Sequence, residues 1–281
     1  MKAEVASGAV REALAAATDA LAAAGVETPR LDAELLLAEA TGRGPAGLLA
    51  EPEAGVEPAA ARRFGEMVRR RVRREPVAYI LGRKGFRGIE LAVDRRVLIP
   101  RPETELLVEL AVELRPHAVL DVGTGSGAIA LALAAELSQT RIVATDISLD
   151  ALAVARANVE RLGFGERVRL LSGTLPAGER FDLVLANLPY VAEGEWRGLA
   201  PEITAHEPRE ALVAGATGLE AIEALLGELA IGATEADAVA LEVGDGQAAT
   251  VAELLRRAGY QRAETRRDLA GIERVVVGLA K

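Results

Sequence analysis

The stretch VLDVGTGSGAIALALA, residues 119–134, decides the fold. A short apolar run, Val119 to Val122, meets a turn with glycine at 123, 125 and 127, and an apolar run of helical length follows from Ala128. That succession reads as buried strand, glycine-rich turn and helix. Gly123-x-Gly125-x-x-Ala128 satisfies the dinucleotide fingerprint, and Asp146 falls about 20 residues further on, at the end of the next apolar run, Ile142 to Thr145. Glycines let a ligand approach the backbone, and an acid at the second strand tip holds two ribose hydroxyls. Nicotinamide cofactors and S-adenosylmethionine both meet these conditions.

Downstream, strands are expected at 168–171, 181–185, 238–243, 263–267 and 274–278, with helices at 149–162, 219–230 and 248–258. Alternating strands and helices predict a mainly parallel sheet covered on both faces. The last two strands, joined only by Asp268 to Glu273, should be antiparallel neighbours. Such a pair suits a methyltransferase sheet better than the all-parallel dehydrogenase sheet. Gly127 also sits where a methionine moiety would lie against the turn. Both features favour S-adenosylmethionine.

Upstream, residues 1–75 read as a small helical domain. Val10, Leu14, Ala17 and Leu21 recur at helical spacing, Leu31, Leu35, Leu36 and Ala38 mark a second helix after Pro29, and a third runs from about Pro58 to Arg74. The third carries Arg62, Arg63, Arg69, Arg70, Arg71, Arg73 and Arg74. This is either a solvated face or a docking surface for an acidic protein or RNA phosphates. Residues 76–102 alternate apolar and polar positions around Gly85 and Gly88, which predicts a β-hairpin linking the helical domain to an α/β domain over 103–281. The linker ends at Ile99-Pro100-Arg101-Pro102-Glu103-Thr104-Glu105. A helix start accounts for its prolines and acids, but not for an arginine held between two prolines.

Opposite the glycine turn in this scheme stands Ala186-Asn187-Leu188-Pro189-Tyr190, just past the strand Phe181 to Leu185. The Asn187 side-chain oxygen and the Leu188 carbonyl, stiffened by Pro189, can each accept one N–H, while Tyr190 covers a face. The clamp suits a planar amide or an exocyclic amine. A simple Pro turn after a strand is the plainer reading.

Composition narrows the chemistry. The 281 residues are 50% hydrophobic, enough for a sizeable core, and contain no apolar run of membrane-spanning length. With no signal-peptide pattern at the N-terminus, a cytoplasmic location is expected. There is no cysteine, which excludes disulfides, thiolate metal sites and a cysteine nucleophile. His117 and His206 are the only histidines, so no metal site is expected. A net charge of -9 argues against a protein that coats nucleic acid.

Taken together these residues resemble the bacterial glutamine N5-methyltransferases that modify peptide chain release factors, the PrmC/HemK family. The similarity runs through PVAYILGRKGFRGIELAVDRRVLIPRPETELLVE (76–109), the glycine stretch, FDLVLANLPYV (181–191), HEPREALVAGATGL (206–219), ALEVGDGQAATVAELLRRAGY (240–260) and DLAGIERVVVG (268–278). The combination of IPRPETE, the acceptor motif and HEPREAL in this order is specific.

The resemblance implies a class I S-adenosylmethionine-dependent methyltransferase. Its Rossmann-like α/β fold has a seven-stranded mixed sheet, a small all-helical N-terminal substrate-recognition domain and a linking β-hairpin. The substrate implied is the glutamine of the Gly-Gly-Gln loop of release factors. Carried over by position, Gly123, Thr124, Gly125, Ser126, Gly127, Asp146, Thr174 and Asn187 bind the cofactor. Asn187, Leu188, Pro189 and Tyr190 bind the glutamine, with Asn187, Pro189 and Tyr190 in the catalytic role.

The chain departs from the family pattern at Leu188, usually proline, and at Gly173-Thr174, where an Asp near the adenine is common. An N-L-P-Y motif is also similar to that of adenine-N6 methyltransferases acting on rRNA or DNA, the alternative reading. Acidic charge, 3% aromatic content and the two flanking motifs stand against it.

Overall fold

The computed structural model describes residues 9–232 and 234–280. The opening eight residues of the expected helical domain, and Lys281, lie outside the described residues. The chain forms two compact units, one reaching to Gly82 and including Ala200–His206, the other comprising the rest.

The first unit contains α1 (Val10–Ala23), α2 (Pro29–Thr41), α3 (Pro45–Ala50), α4 (Pro58–Val72), α5 (Val77–Leu81) and, from the far side of the chain, α9 (Pro201–His206). Prolines at the first turn start α2, α3 and α4, where a missing N–H costs nothing. Gly42 and Gly82, both left-handed, close α2 and α5. Leu14, Leu21, Leu36, Leu37, Leu48, Phe64 and Ile80 fill the core.

The arginine-rich stretch of α4 and the residues after it is divided between the inside of the unit and its surface. Arg71 is buried; its Nε donates to Asp32 at 2.6 Å and its Nη2 to Glu202 at 2.8 Å. Arg74 donates to the same Glu202 at 2.7 and 2.6 Å, and Arg70 to Glu75 at 2.8 and 2.9 Å. These arginines hold the unit's own acids, among them one on α9. Arg62, Arg63, Arg69 and Arg73 are the exposed ones.

The linker also differs from expectation. Pro76 precedes α5, so 77–81 is helical, and the hairpin is confined to β1 (Arg83–Phe86) and β2 (Ile89–Ala92) in the second unit. Arg87 and Gly88, at φ 47° and 79°, form the tight turn that a two-residue hairpin requires. Val93, Val97 and Ile99 are apolar because they pack inward, not because they pair.

The second unit is built on one sheet of seven strands: β3 (Ala118–Val122), β4 (Arg141–Asp146), β5 (Val168–Ser172), β6 (Arg180–Ala186), β9 (Glu235–Glu242), β10 (Arg262–Arg267) and β11 (Glu273–Leu279). Their order is β10-β11-β9-β6-β3-β4-β5, and only β10 and β11 pair antiparallel to their neighbours. A short parallel pair, β7 (Val191–Ala192) and β8 (Val213–Gly215), stands apart.

Alternation assigns the two faces. Leu120, Val122, Val184, Val239, Leu241 and Val276 join a core cluster with α10 (Glu220–Ala230) and α11 (Ala248–Arg257). The other rows run beneath α6 (Glu105–Leu114) and α7 (Ala128–Glu136). Residues 128–134 of α7 are all buried, as a helix apolar on every side must be. In register, Asp121 lies beside Leu185 and Leu185 beside Ala240. Asp121 and Glu242 therefore lie on the same face, both buried.

Removing Arg71 leaves Asp32 buried without its cation. Arg71→Ala is expected to destabilise the helical unit by about 3 kcal/mol. Arg69→Ala, at a side chain 67% exposed, should change it by less than about 0.5 kcal/mol. Urea denaturation followed by circular dichroism checks both; equal effects would mean the Arg71 network is not structural.

Candidate active site

Strands β4 and β5 follow β3 to one side while β6 lies on its other side, so the sheet's switch point falls between β3 and β6. Ligands of such sheets bind there, outside the carboxyl ends of the strands. A cleft of about 340 Å³ opens at this place. Gly123 to Ser126, Asp146 to Ser148, Gly173, Thr174 and Asn187 to Pro189 line it.

The glycine turn is held by its backbone. The N–H groups of Gly123 and Thr124 both donate to the Thr145 carbonyl at 2.9 Å. Gly123 and Gly125 have φ of 73° and 57°, a left-handed conformation in which a side chain is strained. At Gly125 a Cβ would meet nothing within 4 Å, so its space faces the cleft. At Gly123 a Cβ would touch Leu188 Cδ2 at 3.0 Å, so the acceptor motif packs on the glycine turn. Gly127 is placed differently: a Cβ there would crowd Leu131 at 3.0 Å and make ordinary contact with Ala155 at 3.6 Å, and the residue is outside the cleft lining. Its left-handed backbone turns the chain into α7, on the side that faces α8 (Leu149–Leu162).

Asp146 is fixed at both oxygens. Oδ2 accepts from Gly125 N and Oδ1 from Ser148 N, each at 2.9 Å. Each oxygen keeps a further lone pair, so the carboxylate can still take a pair of hydroxyls. Ile147, 81% exposed, adds an apolar surface beside it. Gly173 and Thr174 do reach the cleft; the Thr174 carbonyl accepts from Thr145 Oγ1 at 2.8 Å.

Beneath the turn lies Asp121. Its Oδ2 accepts from Thr124 Oγ1 at 2.6 Å and Ala130 N at 3.2 Å, while Oδ1 is buried without a partner among the described residues. Burial is the main cause that pushes this carboxyl up to about 7, and Asp146 adds repulsion. An orphaned carboxylate oxygen under a ligand cradle suits a cationic ligand.

Across the cleft, Asn187 Nδ2 donates to Thr104 Oγ1 at 3.0 Å. With Nδ2 engaged, Oδ1 is the Asn187 atom free to accept. Tyr190 is absent from the cleft lining and half-buried behind it; burial pushes its phenol up to about 12, so it stays neutral. Its carbonyl accepts from Gln247 Nε2 at 2.9 Å, and a Cβ at Gly218 would come within 2.5 Å of that carbonyl. These contacts set the chain direction after Pro189. Arg101 also finds its partner: its Nη2 donates to buried Glu207, whose other oxygen accepts from Ile99 N at 3.0 Å. IPRPETE and HEPREAL are thus two halves of one wall.

Sequence reading passed over Thr104, Asp121, Ile147 and Glu242. The signal for Asp121 and Glu242 was an acid inside an otherwise apolar strand.

A Rossmann-like sheet with an antiparallel last strand, a glycine turn after β3 and an acid at the tip of β4 defines the methyltransferase class. The methyltransferase small domain family matches residues 102–216, and the PrmC N-terminal domain family residues 12–82. "Release factor glutamine methyltransferase" of Bordetella pertussis is 44% identical over 89% of this chain and 94% of its own length. Its namesake from Geobacter sulfurreducens is 40% identical over 92% of each. Among solved structures, a methyltransferase from Pyrococcus furiosus matches with a TM-score of 0.52 at 20% identity, covering 69% of this chain and 89% of that one. The chain belongs to the release factor glutamine methyltransferase family. S-adenosylmethionine is its methyl donor. The residues present fit it: Asp146 for a ribose, the open glycine turn, and the unpartnered Asp121 oxygen for positive charge.

Ionised Asp121 attracts a cationic ligand and the neutral acid does not. S-adenosylmethionine binding should therefore tighten, by up to about tenfold, as pH rises from 6 to 8. Calorimetry on the wild type and Asp121→Asn checks this. The variant is expected to bind with little pH dependence, and an equal slope in both would exclude Asp121 as the source.

Proposed function

We propose that this enzyme transfers the methyl group of S-adenosylmethionine to the side-chain amide nitrogen of the glutamine in the Gly-Gly-Gln loop of peptide chain release factors. The observation that carries the reading is that Asn187, Leu188 and Pro189 line the same cleft as the glycine turn and Asp146. Acceptor clamp and donor cradle share one space.

The chemical difficulty is the nucleophile. An amide nitrogen is planar because its lone pair is delocalised into the carbonyl. Asn187 Oδ1 and the Leu188 carbonyl can each accept one of its N–H groups, turning the nitrogen so that its lone pair faces the donor side of the cleft. The bound cofactor supplies a methyl on a sulfonium, whose positive charge is lost on transfer. Positioning and preorganised dipoles then supply most of the acceleration. No strong base is needed, since the nitrogen becomes strongly acidic as it gains its fourth bond, and water can take the proton. Leu188 fills the role of the usual proline because the contact asked of it is a backbone carbonyl. Pro189 restricts Leu188 to extended backbone and so aims that carbonyl. Tyr190, half-buried behind the cleft, supports the motif from outside.

The helical unit is the proposed recognition module for the protein substrate, with Arg62, Arg63, Arg69 and Arg73 among its exposed cations. A translation factor as substrate supports a cytoplasmic location. Among the described residues no helix is long and apolar enough to cross a membrane.

Incubation with S-adenosylmethionine and a release factor, followed by peptide mass spectrometry, should find a single methyl on the Gly-Gly-Gln glutamine. Methyl found only on RNA or DNA adenine would overturn the reading. Asn187→Asp keeps the size of the side chain but removes its NH2 and adds a negative charge beside a cationic ligand. It is expected to leave cofactor binding largely intact and to lower kcat by about 10²-fold or more, the scale of one preorganised polar contact. Activity within a few-fold of wild type would remove Asn187 from the clamp.

A further inference from the structure

Behind Asn187 stands a second layer that the reaction as described does not use. Thr104, at the start of α6, is buried and accepts the Asn187 Nδ2–H at 3.0 Å. The carboxylate of Glu242, at the end of β9, lies close enough to the Thr104 hydroxyl for Thr104 to favour its charged form. Glu242 is 2% exposed, and its Oε2 is buried with no partner among the described residues. A buried acid without a full set of partners costs stability.

We propose that Thr104 and Glu242 are positioning residues for the Asn187 amide: the carboxylate takes the Thr104 proton, so Thr104 Oγ1 must accept from Asn187 Nδ2, and Asn187 Oδ1 is left turned to the acceptor. The inference rests on Asn187 being the acceptor clamp. An asparagine amide is nearly symmetric in shape, so nothing but its hydrogen bonds decides which end points where. A hydroxyl has one proton, and whoever takes it sets the direction of the chain Glu242–Thr104–Asn187. With Glu242 neutral, its own O–H can donate to Thr104, whose proton is then free to turn toward Asn187. The amide can then flip and present NH2, a donor, where an acceptor is required.

The groups facing Glu242 come from each neighbouring segment. Glu103 before α6 opposes its charge, Arg101 before that and Arg274 on β11 favour it, and Tyr190 after β6 is neutral. Burial outweighs them and moves the carboxyl up to about 7. The ionised, orienting form is thus gained as pH rises through neutrality.

The test uses the full-length enzyme at saturating S-adenosylmethionine, so that Asp121's effect on binding does not enter. Thr104→Val should lower kcat about tenfold or more with KM for the cofactor changed by less than about twofold, and Thr104→Ser should restore kcat to within about threefold. Wild-type kcat should rise between pH 6 and 8. Glu242→Gln keeps an acceptor for Thr104 without a titrating proton, so its profile should be flat.

A readout without any acceptor substrate is the Asn187 side-chain amide resonance in a 15N spectrum. It should move between pH 6 and 8 in the wild type and stay still in Glu242→Gln. Wild-type kcat in Thr104→Val, or an Asn187 resonance that moves equally in Glu242→Gln, would overturn the proposal. If the resonance behaves as expected while the release factor stays unmethylated, the relay stands and the substrate assignment falls.

Discussion

Parallel pairing of β4, β3, β6 and β9 is the constraint on which the rest depends. It turns four strand ends to one edge: Asp146, Val122, Ala186 and Glu242. Strand order then separates the loops. Because β4 lies to one side of β3 and β6 to the other, the loops after β3 and β6 diverge and leave a crevice between them. The glycine turn grows from one and the Asn187-Leu188-Pro189 motif from the other, so the two motifs are brought to one cleft by topology before any side chain is chosen.

Two acids under that edge show what the site costs. Asp121 and Glu242 share one face of the sheet, are buried, and each keeps an oxygen without a partner among the described residues. Both carboxyls are pushed up to about 7 by burial. A raised folded-state value means the protonated acids stabilise the fold below their unfolded range, and that contribution is lost as pH rises through 7. The ionised acids, the forms proposed to act on cofactor and clamp, are therefore the less stable form. Strain of this kind is tolerated because the surrounding strands and α7 are apolar and densely packed.

Long-range polar contacts tie distant segments into the same wall. Asn158 on α8 accepts from Ala92 N at 2.7 Å and donates to the Ala92 and Ser126 carbonyls, each at 2.9 Å. The end of the hairpin and the glycine turn are thereby held by one buried side chain. Arg101 and Glu207 do the same for the stretches before α6 and after α9. Substitution at Leu188 is mild by comparison, since its backbone does the work and its side chain only packs on Gly123.

The sequence by itself determined every strand of the large sheet, the antiparallel last pair, the glycine turn with Asp146, and the acceptor motif. These rest on local patterns: alternation, apolar run length and the backbone freedom of glycine. Only the tertiary structure decided that Gly127 and Tyr190 lie outside the cleft lining, that Arg70, Arg71 and Arg74 hold the helical unit's own acids, and that residues 77–81 are helical. It alone joined Thr104, Asn187 and Glu242. Their roles depend on which atoms meet across 83 residues of chain and across neighbouring strands, and hydrogen bonds at such separation leave no periodic trace in the order of the amino acids.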